Sequence, residues 1–140
     1  MAEDAFGAGE VADHAVNPRT LTDKEHVQTY MENMAAIADM LGVCRWMTPT
    51  NGAPIQEDIL ADLLTEAVGE TYTGADLQAY ADRCRKAFFQ FDGKCRQQKE
   101  KKPLPERLFQ PVSIDQGQVA GINKEELSAA ISRYKKIRGV

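Results

Sequence analysis

Apolar residues recur three and four positions apart in four separate stretches of this chain, and no stretch alternates as a strand does. That pattern restricts the fold to the all-α class. The first stretch is the clearest. Val27, Tyr30, Met31, Met34, Ile37, Ala38 and Leu41 line one face, so a helix is expected over about 23–41. Thr22 and Glu25 have capping-box spacing at its start. Gly42 stands where a left-handed C-terminal cap tolerates no Cβ. The methionines on the stripe fit as core filler.

The same logic places three more helices. Pro54 suits a first helical turn, Ile55, Ile59, Leu60, Leu63, Leu64 and Val68 mark the second helix, and Gly69 stops it. Thr73 and Asp76 open the third, with Leu77, Tyr80, Ala81, Cys84, Phe88 and Phe91 on its apolar stripe and an end expected near Asp92-Gly93. Asn123 and Glu126 open the fourth, which carries Leu127, Ala130, Ile131, Tyr134 and Ile137 and closes at Arg138-Gly139. Between the last two lie a charged run, residues 94–102, expected to be a solvated loop, and a Pro/Gly-rich crossing, residues 103–122. One short turn is expected there, at Glu106–Phe109. The architecture is thus about four helices packed as an irregular bundle, with an irregular crossing before the last.

A chain of 140 residues can bury one core. Residues 1–21 have no period and read as a loop or lead-in, leaving 22–140 as the helical domain. His14, in that lead-in, reads as a solvated side chain. The net charge of −4 argues against non-specific nucleic-acid or anionic-membrane binding. No apolar run approaches the roughly 20 residues that span a bilayer. The start, MAEDAFGAGE, lacks the basic and apolar regions of a signal peptide. Three sparse cysteines, Cys44, Cys84 and Cys95, make no disulfide framework, so a reducing cytoplasm is expected. Cys84 falls on an apolar stripe and is expected to be buried and inert; Cys95 is expected to be exposed. Their spacing matches no self-contained metal motif, so any metal here would take only part of its shell from this chain.

The chemistry concentrates at the end of the first helix. Asp39 lies in the last turn, where the helix dipole already places partial negative charge, at a cost of roughly 0.3–1 kcal/mol. A donor must compensate it. That donor is either a side chain such as Arg45 or the N–H-rich edge of a bound heterocycle, because a carboxylate accepts two parallel hydrogen bonds from a guanidine-like group. Gly42 would let the backbone approach a ligand closely. Cys44 is a soft ligand for iron once deprotonated.

The run TDKEHVQTYMENMAAIADMLGVC, Thr22 to Cys44, resembles the start of the C-terminal helical domain of the aldehyde ferredoxin oxidoreductase family. The family pattern D-x-x-G-[LV]-C is met by Asp39, Gly42, Val43 and Cys44. In the same order, EDILADLLTEAVGETYTGADL, LPERLFQP and SRYKKIRG resemble later family segments, so the likeness covers roughly residues 20–140. The resemblance implies an enzyme that binds tungsten or molybdenum through two pterins beside a [4Fe–4S] cluster. Such an enzyme oxidises aldehydes to carboxylic acids and passes electrons through the cluster to ferredoxin. It implies that Asp39 hydrogen-bonds one pterin, that the backbone around Val43 and Cys44 touches the same pterin, and that Cys44 is the fourth cluster cysteine.

The chain has no C-x2-C-x3-C run for the other three cluster cysteines, and His14 is too close to Asp39 to stand for the family's substrate-site histidine. Where members often carry an aromatic-asparagine-x-arginine segment, Phe88 to Gly93 has neither Asn nor Arg. The chain therefore reads as an excised domain, or as a truncated or split subunit. It is expected to be inactive and cofactor-free alone, with the remainder of the enzyme as its partner and a homodimer as a further assembly. A second reading stays open: a cofactor-free structural or interaction module in which Asp39 pairs with Arg45. Exposed apolar surface around Trp46 and Met47 would favour the enzyme piece over the module.

Overall fold

The computed structural model describes residue 17 and residues 20–49, 55–96, 103–115 and 117–140. Four helices form the body: α1 (Lys24–Leu41), α2 (Glu57–Val68), α3 (Gly74–Arg96) and α4 (Lys124–Arg138). Short 3-10 turns occupy Arg45–Met47 and Glu106–Phe109. Before α4 lies a small antiparallel hairpin, β1 (Val112–Ile114) and β2 (Gly117–Val119), with Val112 opposite Val119. Strands of three residues are too short to alternate visibly, which is why the expected irregular crossing concealed them. The fold is all-α, as expected.

α1 is the hub, packed against both α3 and α4, with α2 laid on α3. Met34 and Ile37 of α1 meet Leu60 and Ala61 of α2 and Leu77 and Ala81 of α3 in one buried cluster. The turn between α2 and α3 is fixed by Gly69 at φ 80° and by the Tyr72 N–H, which donates to Thr65 Oγ1 at 2.9 Å. Thr73 and Asp76 form the reciprocal cap expected: Asp76 N–H donates to Thr73 Oγ1 at 3.2 Å and Thr73 N–H to Asp76 Oδ2 at 2.9 Å. These bonds hold the Asp76 carboxyl below its usual range, the Thr73 hydroxyl first among them. Asn123 Oδ1 caps α4 by accepting from Glu126 N–H at 3.0 Å.

Five expectations are corrected. The Thr22–Glu25 capping box does not form. Asp23 takes the N-cap in a left-handed conformation, φ 57°, without a side-chain cap, while Glu25 turns inward and pairs with Arg133 of α4. A buried carboxylate needs a charged partner more than a helix end needs a cap. α2 starts at Glu57 rather than at Pro54, which lies outside the described residues together with the turn positions 51 and 52. α3 runs through Gly93 to Arg96. Gly93 keeps an ordinary helical backbone there, a local cost of roughly 1 kcal/mol relative to alanine. Cys84 is exposed, not buried. α2 meets only the start of α3, with Glu57 accepting from Gln78 at 3.0 Å and Leu60 and Ala61 packed with Leu77 and Ala81, so the later part of the α3 stripe lies beyond it. Phe88 and Phe91 are accordingly 51% and 67% exposed.

The fifth correction concerns α4. Its apolar stripe buries only Ala130 fully, and Ile131 and Ile137 are exposed. The helix is instead anchored by polar groups. Arg138 is wholly buried and donates to Asn33 Oδ1 (2.7 Å), Glu32 Oε2 (2.8 Å), Asp82 Oδ1 (3.0 Å) and the Thr29 carbonyl (3.0 Å). One guanidinium thereby joins α1, α3 and α4. Tyr134 donates to Glu32 Oε2 at 2.6 Å, and its ring meets Phe89 edge-on.

Candidate cofactor corner

α1 ends in a tight left-handed cap. Gly42 has φ 68°, and the Gly42 and Val43 N–H groups both donate to the Ala38 carbonyl, the latter at 2.9 Å. A Cβ on Gly42 would meet nothing within 4 Å. The glycine is demanded by backbone conformation, not by crowding within the chain. Cys44 then extends at φ −64°, ψ 125°, and its carbonyl accepts from Met47 N–H at 2.9 Å to start the 3-10 turn. Thr48, wholly buried, locks that turn by donating its hydroxyl to the Arg45 carbonyl at 2.8 Å. The residues from Asp39 to Met47 are thus held on one built corner rather than on a loose loop.

Asp39 is compensated by Arg45, which donates Nε to one carboxylate oxygen at 3.1 Å and Nη2 to the other. Both side chains are more than half exposed, at 61% and 54%. Hydrogen bonding to Asp39, reinforced by its charge, holds the Arg45 guanidinium above its ordinary range. Cys44 is a free, exposed thiol. Met40, Trp46 and Met47, each within three chain positions of Asp39 or Cys44, are 47%, 74% and 49% exposed. Large apolar side chains bared together mark a binding face more often than an ordinary solvated one.

The other thiols do not join this corner. Cys84 and Cys95 lie eleven positions apart on α3, about 16 Å along one helix, too far to ligate one small cluster together. His14 lies outside the described residues. Asp23, Glu25 and His26 offer donor atoms within 4.8 Å of one another, but at the opposite end of α1, and Glu25 is already paired to Arg133. Concavities beside the hairpin, lined by residues such as Ile114, Val119, Ile122 and Glu126, share no residue with the corner. Reading the sequence missed Arg138, Glu32 and Asp82 as the polar anchor of α4. The available signal was a run of charged and hydroxyl side chains on faces where the apolar stripes of α1 and α4 are thin.

The family model for aldehyde ferredoxin oxidoreductase, domains 2 and 3, matches residues 2–140. The chain belongs to the aldehyde ferredoxin oxidoreductase family. No curated protein and no solved structure matches it. The family assignment makes the chain the helical region of an aldehyde ferredoxin oxidoreductase-type enzyme, and association with the rest of such an enzyme follows from that context. Among the described residues, no helix is long and apolar enough to cross a membrane.

Proposed function

We propose that the corner formed by Asp39, Gly42, Val43 and Cys44 is this chain's share of a pterin and iron–sulfur site. Asp39 would hydrogen-bond one pterin of a tungsten or molybdenum bis-pterin. The backbone around Val43 and Cys44 would touch the same pterin. Cys44 would be the one cluster ligand that this chain contributes to a [4Fe–4S] centre. When bound in a complete enzyme, these groups supply the oxidation of aldehydes to carboxylic acids and electron transfer toward ferredoxin.

The observation that carries this proposal is the Arg45 fork on Asp39. A guanidinium giving two parallel N–H bonds to one carboxylate has the same donor pattern as the amino-pyrimidine edge of a pterin. The exposed Asp39 carboxylate accepts two donors at once, and an exposed ion pair is weak enough to exchange for such an edge. The donor set fits as well. Cys44 is an accessible thiol, and Cys84 and Cys95 lie elsewhere, on α3, so it is the one ligand this corner would offer. Gly42, with open space where a Cβ would stand, leaves room against the backbone.

The pairing of Asp39 with Arg45 also suits the second reading, a cofactor-free module. The bared Trp46, Met40 and Met47 favour the enzyme piece, because a module complete in itself has no reason to expose them together. The test is Asp39→Ala in the complete enzyme that contains this chain. Pterin and tungsten or molybdenum content should fall while the protein stays folded. Full retention of both would sink the assignment of Asp39. Three sparse cysteines suit a reducing compartment such as the cytoplasm.

A further inference from the structure

We infer that the bare aromatic face on the later part of α3 takes the outer face of α2 from a second copy of this chain, the contact being made twice about a two-fold axis. The acceptor face is one line of exposed side chains, Cys84, Phe88, Phe91 and Cys95, spaced four, three and four apart. Arg83 and Lys94, both exposed, border it on one edge. Arg85 and Lys86 are paired with Glu32 and Asp82 instead. An aromatic line with a cationic border suits an occupant that is apolar and acidic.

The outer face of α2 has that composition. Ile59, Asp62, Leu63 and Glu66 stand at i, i+3, i+4 and i+7, so they share one side of the helix, and all are exposed. Leu60, Ala61 and Leu64, on the other side, are the residues packed into the core. Residues 57–76 carry six carboxylates and no lysine or arginine, so nothing in this stretch neutralises the face. Among the described residues, none of Asp62, Glu66, Arg83 and Lys94 has an ion-pair partner.

The chain cannot join these two surfaces within itself. Its α2 is fixed at the start of α3, where Glu57 accepts from Gln78 at 3.0 Å and Leu60 and Ala61 pack with Leu77 and Ala81. The acidic face is therefore turned away from the core, and the aromatic line begins beyond Ala81. A second copy supplies what each surface lacks. The line from Cys84 to Cys95 spans about 16 Å, enough for the about 10 Å from Ile59 to Glu66. Ile59 and Leu63 would cover Phe88 and Phe91, with Asp62 and Glu66 toward the Arg83 and Lys94 border, and opposite charges along such a rim fix register. Because every copy carries one surface of each kind, repeating the contact about a two-fold axis closes the assembly at two chains.

The measurement is sedimentation equilibrium of the full chain at low salt over a range of concentrations. The average mass of the native chain should rise toward that of two chains and no further, and high salt should lower it, because salt screens exposed charge pairs. A variant with Asp62→Lys and Glu66→Lys should stay at one chain, and so should a variant with Arg83→Glu and Lys94→Glu. Mixing those two variants should restore the two-chain mass, since each then offers what the other needs, a rescue that misfolding could not produce. Alkylation by N-ethylmaleimide locates the contact: Cys84 and Cys95 should slow several-fold as the native chain is concentrated, while Cys44, on the corner beyond α1, should not. A native chain that stays single at every concentration would overturn the proposal. So would a dimer indifferent to both charge reversals, or a mixture of the two variants that remains single although circular dichroism shows both folded.

Discussion

Arg45 lies six residues beyond Asp39 and grips both oxygens of its carboxylate. α1 has no basic residue in its own last turn, so the compensating cation comes from past the glycine stop. Both partners are solvated, and pairs of that kind add little to folding. Arg45→Ala should therefore leave the thermal midpoint of the chain unchanged. A clear fall in the midpoint would make the pair a structural strut rather than an exchangeable one.

Two glycines near the candidate site and the crossing should respond differently to alanine. Gly42→Ala places a Cβ in open space but in a left-handed backbone, φ 68°, and should cost about 1–2 kcal/mol by urea denaturation. At Gly121 the added Cβ would fall 2.3 Å from the carbonyl carbon of Phe109. Backbone must move there, so Gly121→Ala should be the more damaging and should loosen the hairpin first. Equal losses for the two would contradict this ordering.

Arg138→Met should be the most destabilising single change outside the apolar core. It removes the cation that Glu32 and Asp82 share, and breaking a buried pair from one side costs about 3–5 kcal/mol. Urea unfolding followed by circular dichroism measures it. A loss below the experimental error would mean that α4 is held by its apolar stripe after all.

The same cluster sets a pH limit. Burial alone would raise the Glu32 carboxyl, but hydrogen bonds from Tyr134, Gln28 and Arg138 and the charge of Arg85 outweigh it and hold it below its usual range. Asp82 is likewise pushed up by burial and brought down further by Lys86 and Arg138. Carboxyls lowered in the folded state stabilise fully above their unfolded value, about 4, and lose that contribution as pH falls through the folded values. The urea midpoint should thus hold from neutral pH down to about 5 and fall below about 4. A midpoint that stays constant down to pH 3 would show that these carboxylates are not engaged in solution.

Much of this molecule was legible in its sequence. The α1 stripe, its Gly42 stop, the Thr73–Asp76 cap and the Asn123 cap are local features, set by residues three or four apart, and each was found where expected. The failures share one cause, which is long-range context. Glu25 left its cap for an arginine 108 residues away. Cys84 is bared because α2 packs only on the start of α3, up to Ala81, which no property of α3 itself reveals. Arg138 reads in the sequence only as the close of the last helix, and the approach of Asn33, Glu32 and Asp82 makes it an interior residue. At the corner, Arg45 was one of two donors that the position of Asp39 demanded, and the family pattern from Asp39 to Cys44 pointed to the other.

The three cysteines give the most direct test of the corner. Cys44→Ala, Cys84→Ala and Cys95→Ala would each be made in the complete enzyme that contains this chain, and iron and acid-labile sulfide measured on the purified proteins. If Cys44 is the cluster ligand, Cys44→Ala loses iron and sulfide while Cys84→Ala and Cys95→Ala retain both. Full iron and sulfide in the Cys44→Ala enzyme would contradict that role.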